Sequence, residues 1–547
     1  MASRRIPLIC LIIVLQFFLL PLGILADDAS EVVSMDQLLP IFYALTWLLP
    51  LGVALVAVGI TETSRAYHVA ISLPLALVAA LFGYYLCGYA FQFGGVGLVS
   101  PDPGLARLLA EWSPLDPRGS PGWGVIGLRG FMFSLDVVSE QELLLFVSQL
   151  ALVTTAALIP LTTLSGRIPR TLDFILALLV SCVCNPLVGN WVRGGGWFSQ
   201  LGTTLGLGHG FVDYGVGYVY LVGGGAAIAS LFAFKRRGLS TPPSSAPELP
   251  PAYLPLNVLI GAFLALIGWL VAILAQPLVP TIQSPAALIY KALCAVAGSI
   301  ATTCFYGWLV RGKPDPALAG RGILASLVAI SAGLPFVPPW AAVLIGAIAG
   351  LFLAPAMYVV ERVLWLDDRG AAVSIYGLSA IWGFLAVGLF AGGKHGAGWN
   401  SFARGSSASS LAQGVTGLFC AQGREYTAHG LALGTGQLYA QLLGTAAILL
   451  LSILLPLIVL SLLAYAYALP ATIRSRAREH AATLQRERQI REKRQRQGLI
   501  LNLWQRVRIA YLHYAASAKR RLSHRVHLAR QKRGERQASA EHKDSDG

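Results

Sequence analysis

The sequence predicts an all-α polytopic membrane protein with eleven transmembrane helices. Three observations carry this. The 547 residues are 55% hydrophobic and only 12% charged, with mean hydropathy +0.64. Apolar runs of about 20 residues, the length that crosses a bilayer as a helix, recur along the chain. Basic residues collect at alternate ends of those runs, as the positive-inside bias requires. Helices are the expected form because backbone polar groups in lipid must be satisfied within the segment. In this setting the 58 glycines favour close helix approach over flexible linkers.

The elements follow in order. Residues 1–26 read as a signal sequence, in which Arg4 and Arg5 precede an apolar run over 6–22 and Ala26 precedes Asp27 and Asp28. Ile24 is a poor match at the −3 position, so an uncleaved N-terminal anchor is the alternative. Both leave residue 30 outside. Spans are expected near 38–59, 70–92, 142–163, 171–190, 213–234, 255–275, 286–310, 321–334, 341–359, 373–393 and 436–468. The eighth is short and shares a Gly/Pro-broken hairpin with the ninth. With an outside start, the inner loops hold Arg65, then Arg167 and Arg170, then Lys235, Arg236 and Arg237. Later inner loops hold Arg311 and Lys313, then Glu361 and Arg362, and finally the basic tail. The opposite side carries the long Gly/Ser/Pro-rich loops 93–141 and 394–435. Residues 238–254 read as a linker between two halves.

The tail, 469–547, accounts for the basic balance. Residues 470–547 hold 20 Lys/Arg and 7 Asp/Glu, which is +13 of the total +15. Residues 474–497 read as a solvated charged helix. After Gly498, residues Ile500, Leu503, Trp504, Val507, Tyr511 and Tyr514 fall at helical spacing beside Arg506, Arg508 and Lys519 to Arg521. This basic amphipathic helix suits an anionic lipid surface or a cytoplasmic protein partner. No nucleic-acid-binding fold accompanies the charge.

Seven cysteines show neither metal spacing nor a disulfide framework. Cys87, Cys182, Cys184, Cys294 and Cys304 lie in apolar segments and read as buried small hydrophobes. No P-loop, HExxH or nucleophile elbow is present, so neither an enzyme, a metal nor a cofactor is expected.

Three ordered blocks carry a resemblance. One runs from Arg311-Gly-Lys-Pro-Asp315 through SAGLPFVPPWAAVLIGAIAG to DDRGAAVSIYGLSAIWGFLAVGLFAGG at 367–393. The second is NPLVGNWVRGGGW at 185–197 with DYGVGYVYLVGGGAAIA at 213–229, and the third is GYYLCGYAFQFG at 83–94. Over residues 35–468 the chain resembles the ammonium transporter, methylammonium permease and Rhesus superfamily. The resemblance implies an inverted repeat of spans 1–5 and 6–10 plus a terminal span. It also implies a homotrimer in the cell membrane, an outside N-terminus, a cytoplasmic C-terminus and one pore per subunit.

The family's pore carries two facing histidines, whose imidazoles titrate near neutrality. The matching positions here are Tyr220 and Tyr376. A phenol keeps a donor and an acceptor but cannot carry positive charge. Where the family recruits a cation with an aromatic side chain, this chain has Arg193, with Trp197 four residues on. Asp213 matches the family's acidic residue of span five and is a candidate ion-pair partner for Arg193. The family's gating phenylalanines match Leu152 and Ala272. Lys291 and Trp382 are further pore candidates, and Asp367 and Asp368 match an aspartate pair that caps span ten. The resemblance implies a channel for ammonium, ammonia or a related small solute. The altered positions leave two alternatives: a transport-silent sensor or scaffold acting through its tail, and a pore of changed selectivity.

Overall fold

The computed structural model describes residues 35–541, apart from 62, 115–122, 134–136, 165, 167, 206, 208–209, 236–253, 279–281, 369, 397–413 and 420–432. The leader, almost all of the 238–254 linker, Cys10 and Cys420 lie outside the described residues. Among the described residues, ten helices are long and apolar enough to cross a membrane. They are Leu39–Ile60, Ala66–Leu98, Glu140–Leu164, Arg170–Ser199, Gly217–Phe234, Pro255–Leu274, Pro285–Arg311, Pro339–Val363, Val373–Phe390 and Thr435–Leu463. The shorter apolar helix Pro316–Ser331 falls between the seventh and eighth of these and completes the expected eleven. The chain is a multi-pass membrane protein, and its spans are numbered one to eleven below in chain order.

Span eight is short for local reasons. Asp315 caps its start, accepting from the N–H groups of Ala317 at 3.0 Å and Leu318 at 3.4 Å, with Pro316 in the first turn. Its end runs into Gly333, Pro335 and Pro338, and span nine begins at Pro339. The hairpin read from sequence is therefore present, shifted a few residues toward the N-terminus.

Burial separates central from peripheral helices. In spans three, five and ten, 78%, 83% and 72% of the apolar window is buried; in span eleven only 22% is. The three central helices carry Gln149, Tyr218 and the two tyrosines described below.

Spans two and four correct the reading of the cysteines. Each contains one wide turn, Tyr84–Gly88 and Val180–Cys184, and the two turns lie side by side. Cys87 and Cys182, read as separate small hydrophobes, are joined by a disulfide with Cα atoms 5.9 Å apart. Their separation of 95 residues hides the pair, because only the packing of the two helices brings them together. Cys184 is free and buried, whereas Cys294 and Cys304 are free and partly exposed.

The chain divides into two compact units between Tyr465 and Ala466. Helix Leu433–Glu541 has no break at Gly498, where the sequence suggested two separate helices. One glycine costs a helix about 1 kcal/mol, which neighbouring helix formers outweigh. In the second unit Trp504, Val507, Tyr511 and Tyr514 are all exposed.

Candidate functional site

Spans five and ten begin with the same device. The Asp213 carboxylate accepts from the N–H groups of Gly217 and Tyr218, both at 2.8 Å. The Asp368 carboxylate accepts from Ala372 at 3.0 Å and Val373 at 2.8 Å. The two caps thus use the same offsets, four and five residues on. Each satisfies two of the N–H groups a helix start leaves unpaired, and each puts negative charge at the positive end of the helix dipole. Three residues after each aspartate the backbone turns left-handed, at Val216 with φ 59° and Ala371 with φ 50°.

The two helices run antiparallel. Phe384, late in span ten, packs on Gly217 at the start of span five, and Gly377 meets Gly224 further along. The contact at Gly224 is backbone to backbone. A Cβ there would lie 2.5 Å from Gly377 Cα and 2.6 Å from its nitrogen. Tyr220 lies one turn before Gly224, and Tyr376 is the residue before Gly377. The crossing therefore sets the two phenol rings face to face, with centroids 6.1 Å apart and planes 14° from parallel. Both rings are buried.

A polar layer covers the tyrosines on the Asp213 side. Arg193 Nη1 donates to Gln276 Oε1 at 2.5 Å. Its Nη2 donates to the carbonyls of Asp213, at 3.5 Å, and Tyr214. Gln149 Nε2 donates to the same Gln276 Oε1 at 3.2 Å. Gln92 Nε2 approaches Gln149 Oε1 at 3.5 Å and donates to the Tyr218 hydroxyl at 3.2 Å. The Tyr84 hydroxyl donates to Gln92 Oε1 at 3.1 Å. Spans two to five and the segment just after span six all contribute to this chain of bonds. Each buried amide spends its donors and acceptors on a neighbour, as a low-dielectric setting demands.

Leu152 lies one turn beyond Gln149, and Ala272 one turn before Gln276, whose Nε2 donates to the Ala272 carbonyl at 2.8 Å. Both are buried. Gly223 packs on Ala156 and Ile159, one and two turns beyond Leu152. The order from the Arg193 side is therefore the polar layer, then Leu152 and Ala272, then the paired tyrosines.

The candidate ion pair between Arg193 and the Asp213 carboxylate does not form. Both carboxylate oxygens face helix N–H groups, and the guanidinium bonds main-chain carbonyls and an amide. Trp197 stacks on Trp123, at 5.6 Å and 11°, with Trp191 edge-on at 5.8 Å. Lys291 and Trp382 each bond a main-chain carbonyl outside the polar layer. The Lys291 ammonium is buried and donates to the Pro335 carbonyl at 3.1 Å, and the Trp382 indole donates to the Ile345 carbonyl of span nine at 3.1 Å. The sequence reading did not single out Gln92, Gln149 or Gln276. The only signal they gave was a polar side chain in an apolar run.

The chain matches the Ammonium Transporter Family over residues 38–483. It is 28% identical over 348 residues to "Ammonium transporter Amt2" of Archaeoglobus fulgidus, covering 63% of this chain and 69% of that one. It is also 28% identical over 363 residues to "Ammonium transporter" of Bacillus subtilis, covering 63% and 78%. Among solved structures, "Sensor Amt Protein" superposes with a TM-score of 0.58 at 20% identity, over 78% of this chain and 91% of that one. Mep2 of Candida albicans gives 0.57 at 19% identity, over 77% and 82%. With the family matched along most of its length and the helical architecture shared with these structures, the chain belongs to the ammonium transporter family.

Proposed function

We propose that the protein is a membrane channel for ammonia, ammonium or a closely related small amine. The path runs from the Arg193 layer, past Leu152 and Ala272, to Tyr220 and Tyr376. The stacked tyrosine pair at the crossing of two capped, antiparallel helices carries this reading, because it sets two hydroxyl-bearing rings side by side deep in the subunit. Phenols offer a moving amine both a donor and an acceptor without storing positive charge. The relatives named as ammonium transporters support the solute class.

Other parts of the proposal follow from the sequence pattern. The leader would place the N-terminus outside and the C-terminus in the cytoplasm, with the protein in the cell membrane. The subunit would assemble as a homotrimer. The exposed Trp504, Tyr511 and Tyr514 stand among basic residues and suit the tail to an anionic membrane surface.

The test is uptake by reconstituted protein. Liposomes carrying the native chain should change internal pH at least several-fold faster than empty liposomes after an ammonia step. Tyr220→Trp should slow that change by overfilling the space between the rings. Identical traces from loaded and empty liposomes would reject the channel function.

A further inference from the structure

We propose that Lys291 and Gln283, meeting at the turn between spans eight and nine, form a binding site for a small oxyanion that keeps a hydroxyl, the class of bicarbonate and hydrogen phosphate. The site is separate from the tyrosine pair and does not depend on the channel function. Lys291 lies in the second turn of span seven, only 6% exposed. An ammonium carries three N–H donors. Among the described residues this one makes a single hydrogen bond, to the Pro335 carbonyl at 3.1 Å, and no carboxylate is within ion-pair reach. A buried charge without a counter-charge is costly, which leaves Lys291 in want of a negative group.

Gln283 stands beside it. Its Nε2 donates to the same Pro335 carbonyl at 2.9 Å, and its buried Oε1 has no partner among the described residues. The pair therefore presents charged N–H donors from one side chain and a bare acceptor from the other. Chloride or nitrate would answer the ammonium and leave Gln283 Oε1 unmet. Water would answer both hydrogen bonds and leave the charge unbalanced. An oxyanion with a hydroxyl answers all three needs: its charged oxygen accepts from Lys291, and its O–H donates to Gln283 Oε1. The loop after span ten adds positive charge at this turn. The Gly392 N–H donates to the Phe336 carbonyl at 2.8 Å, which lays the loop against the residue next to Pro335. The loop carries the exposed Lys394 and the half-buried His395. Burial, and then the charges of Lys291 and Lys394, push the His395 imidazole below its usual range, as a positive local field does. Such a field draws anions toward the turn.

The experiment titrates the purified full-length protein, in a maltoside detergent, with sodium bicarbonate, sodium phosphate and sodium nitrate by calorimetry at neutral pH and constant ionic strength. Bicarbonate or phosphate should bind at least ten-fold more tightly than nitrate, which has no hydroxyl, and the tighter of the two identifies the ion. Lys291→Met keeps the stem and removes the charge. It should weaken that binding at least ten-fold and melt no lower than the native chain, because it relieves a buried charge. Gln283→Leu should leave nitrate binding as it is and bring the preference for the hydroxyl-bearing ion down to within about two-fold. If Lys291→Met does not give a monodisperse protein, the Gln283→Leu titrations decide the matter by themselves. Equal binding of nitrate and the hydroxyl-bearing ions by the native chain would overturn the proposal. So would binding that survives Lys291→Met, a preference that survives Gln283→Leu, or no heat from any of the three ions.

Discussion

The two aspartate caps do the same work at two places. Asp213 and Asp368 each hold two N–H groups that have no other partner in the first turn. Truncating either one strands those donors in a buried setting at a cost of about 1–3 kcal/mol. Asp213→Ala and Asp368→Ala should therefore lower the melting temperature of the purified protein by similar amounts. A large difference between them would show that one aspartate has a role beyond capping. At this scale the sequence was informative where a residue type is unusual for its surroundings, as with Tyr220, Tyr376, Arg193 and both aspartates. It was uninformative about partners. Arg193 looked free to pair with the nearest carboxylate, and only the backbone shows that carboxylate turned to the helix start. The glutamines were missed because an amide has neither charge nor a characteristic spacing to mark it.

At the scale of helices, the crossing of spans five and ten makes an asymmetric prediction. A Cβ on Gly224 would press into the backbone of Gly377, but a Cβ on Gly377 would lie 3.7 Å from Gly224 Cα, an ordinary contact. Gly224→Ala should force the helices apart, at about 1–3 kcal/mol for an overpacked contact, and disturb the stacking of the tyrosines. Gly377→Ala should be close to neutral. Melting temperature and ammonia-driven pH change, measured for both variants, would check this; equal effects would contradict the crossing geometry. Hydropathy located nearly every span, since length and apolar content are local properties. It did not locate the pairing of Cys87 with Cys182, which depends on how two distant helices pack.

For the whole molecule, the division at Tyr465 separates a bilayer-embedded body from a basic unit. Between Trp504 and Arg533 there are nine Lys/Arg and no Asp/Glu. Charge near an anionic leaflet is worth about 1 kcal/mol per basic residue at low screening. Full-length protein in vesicles with roughly a third phosphatidylglycerol should be cut by trypsin more slowly across this region than in pure phosphatidylcholine. Added salt should erase the difference. Equal cleavage in both lipids would leave the tail to a protein partner. The fold class was legible because composition alone identifies a membrane protein. The function of the tail was legible only as a charge pattern, since nothing in the first unit's sequence names what it meets.

The left-handed turns at Val216 and Ala371 have a practical consequence. A β-branched side chain at φ near +60° is held against its own preference by roughly 1–2 kcal/mol, and glycine is not. Replacing Val216 with glycine should yield a hardier preparation, one that survives detergent and warming longer. That gives the experimenter a sturdier starting material for crystals or electron microscopy. The better-behaved sample would arise by relieving a single turn, with every side chain that faces the solute left in place.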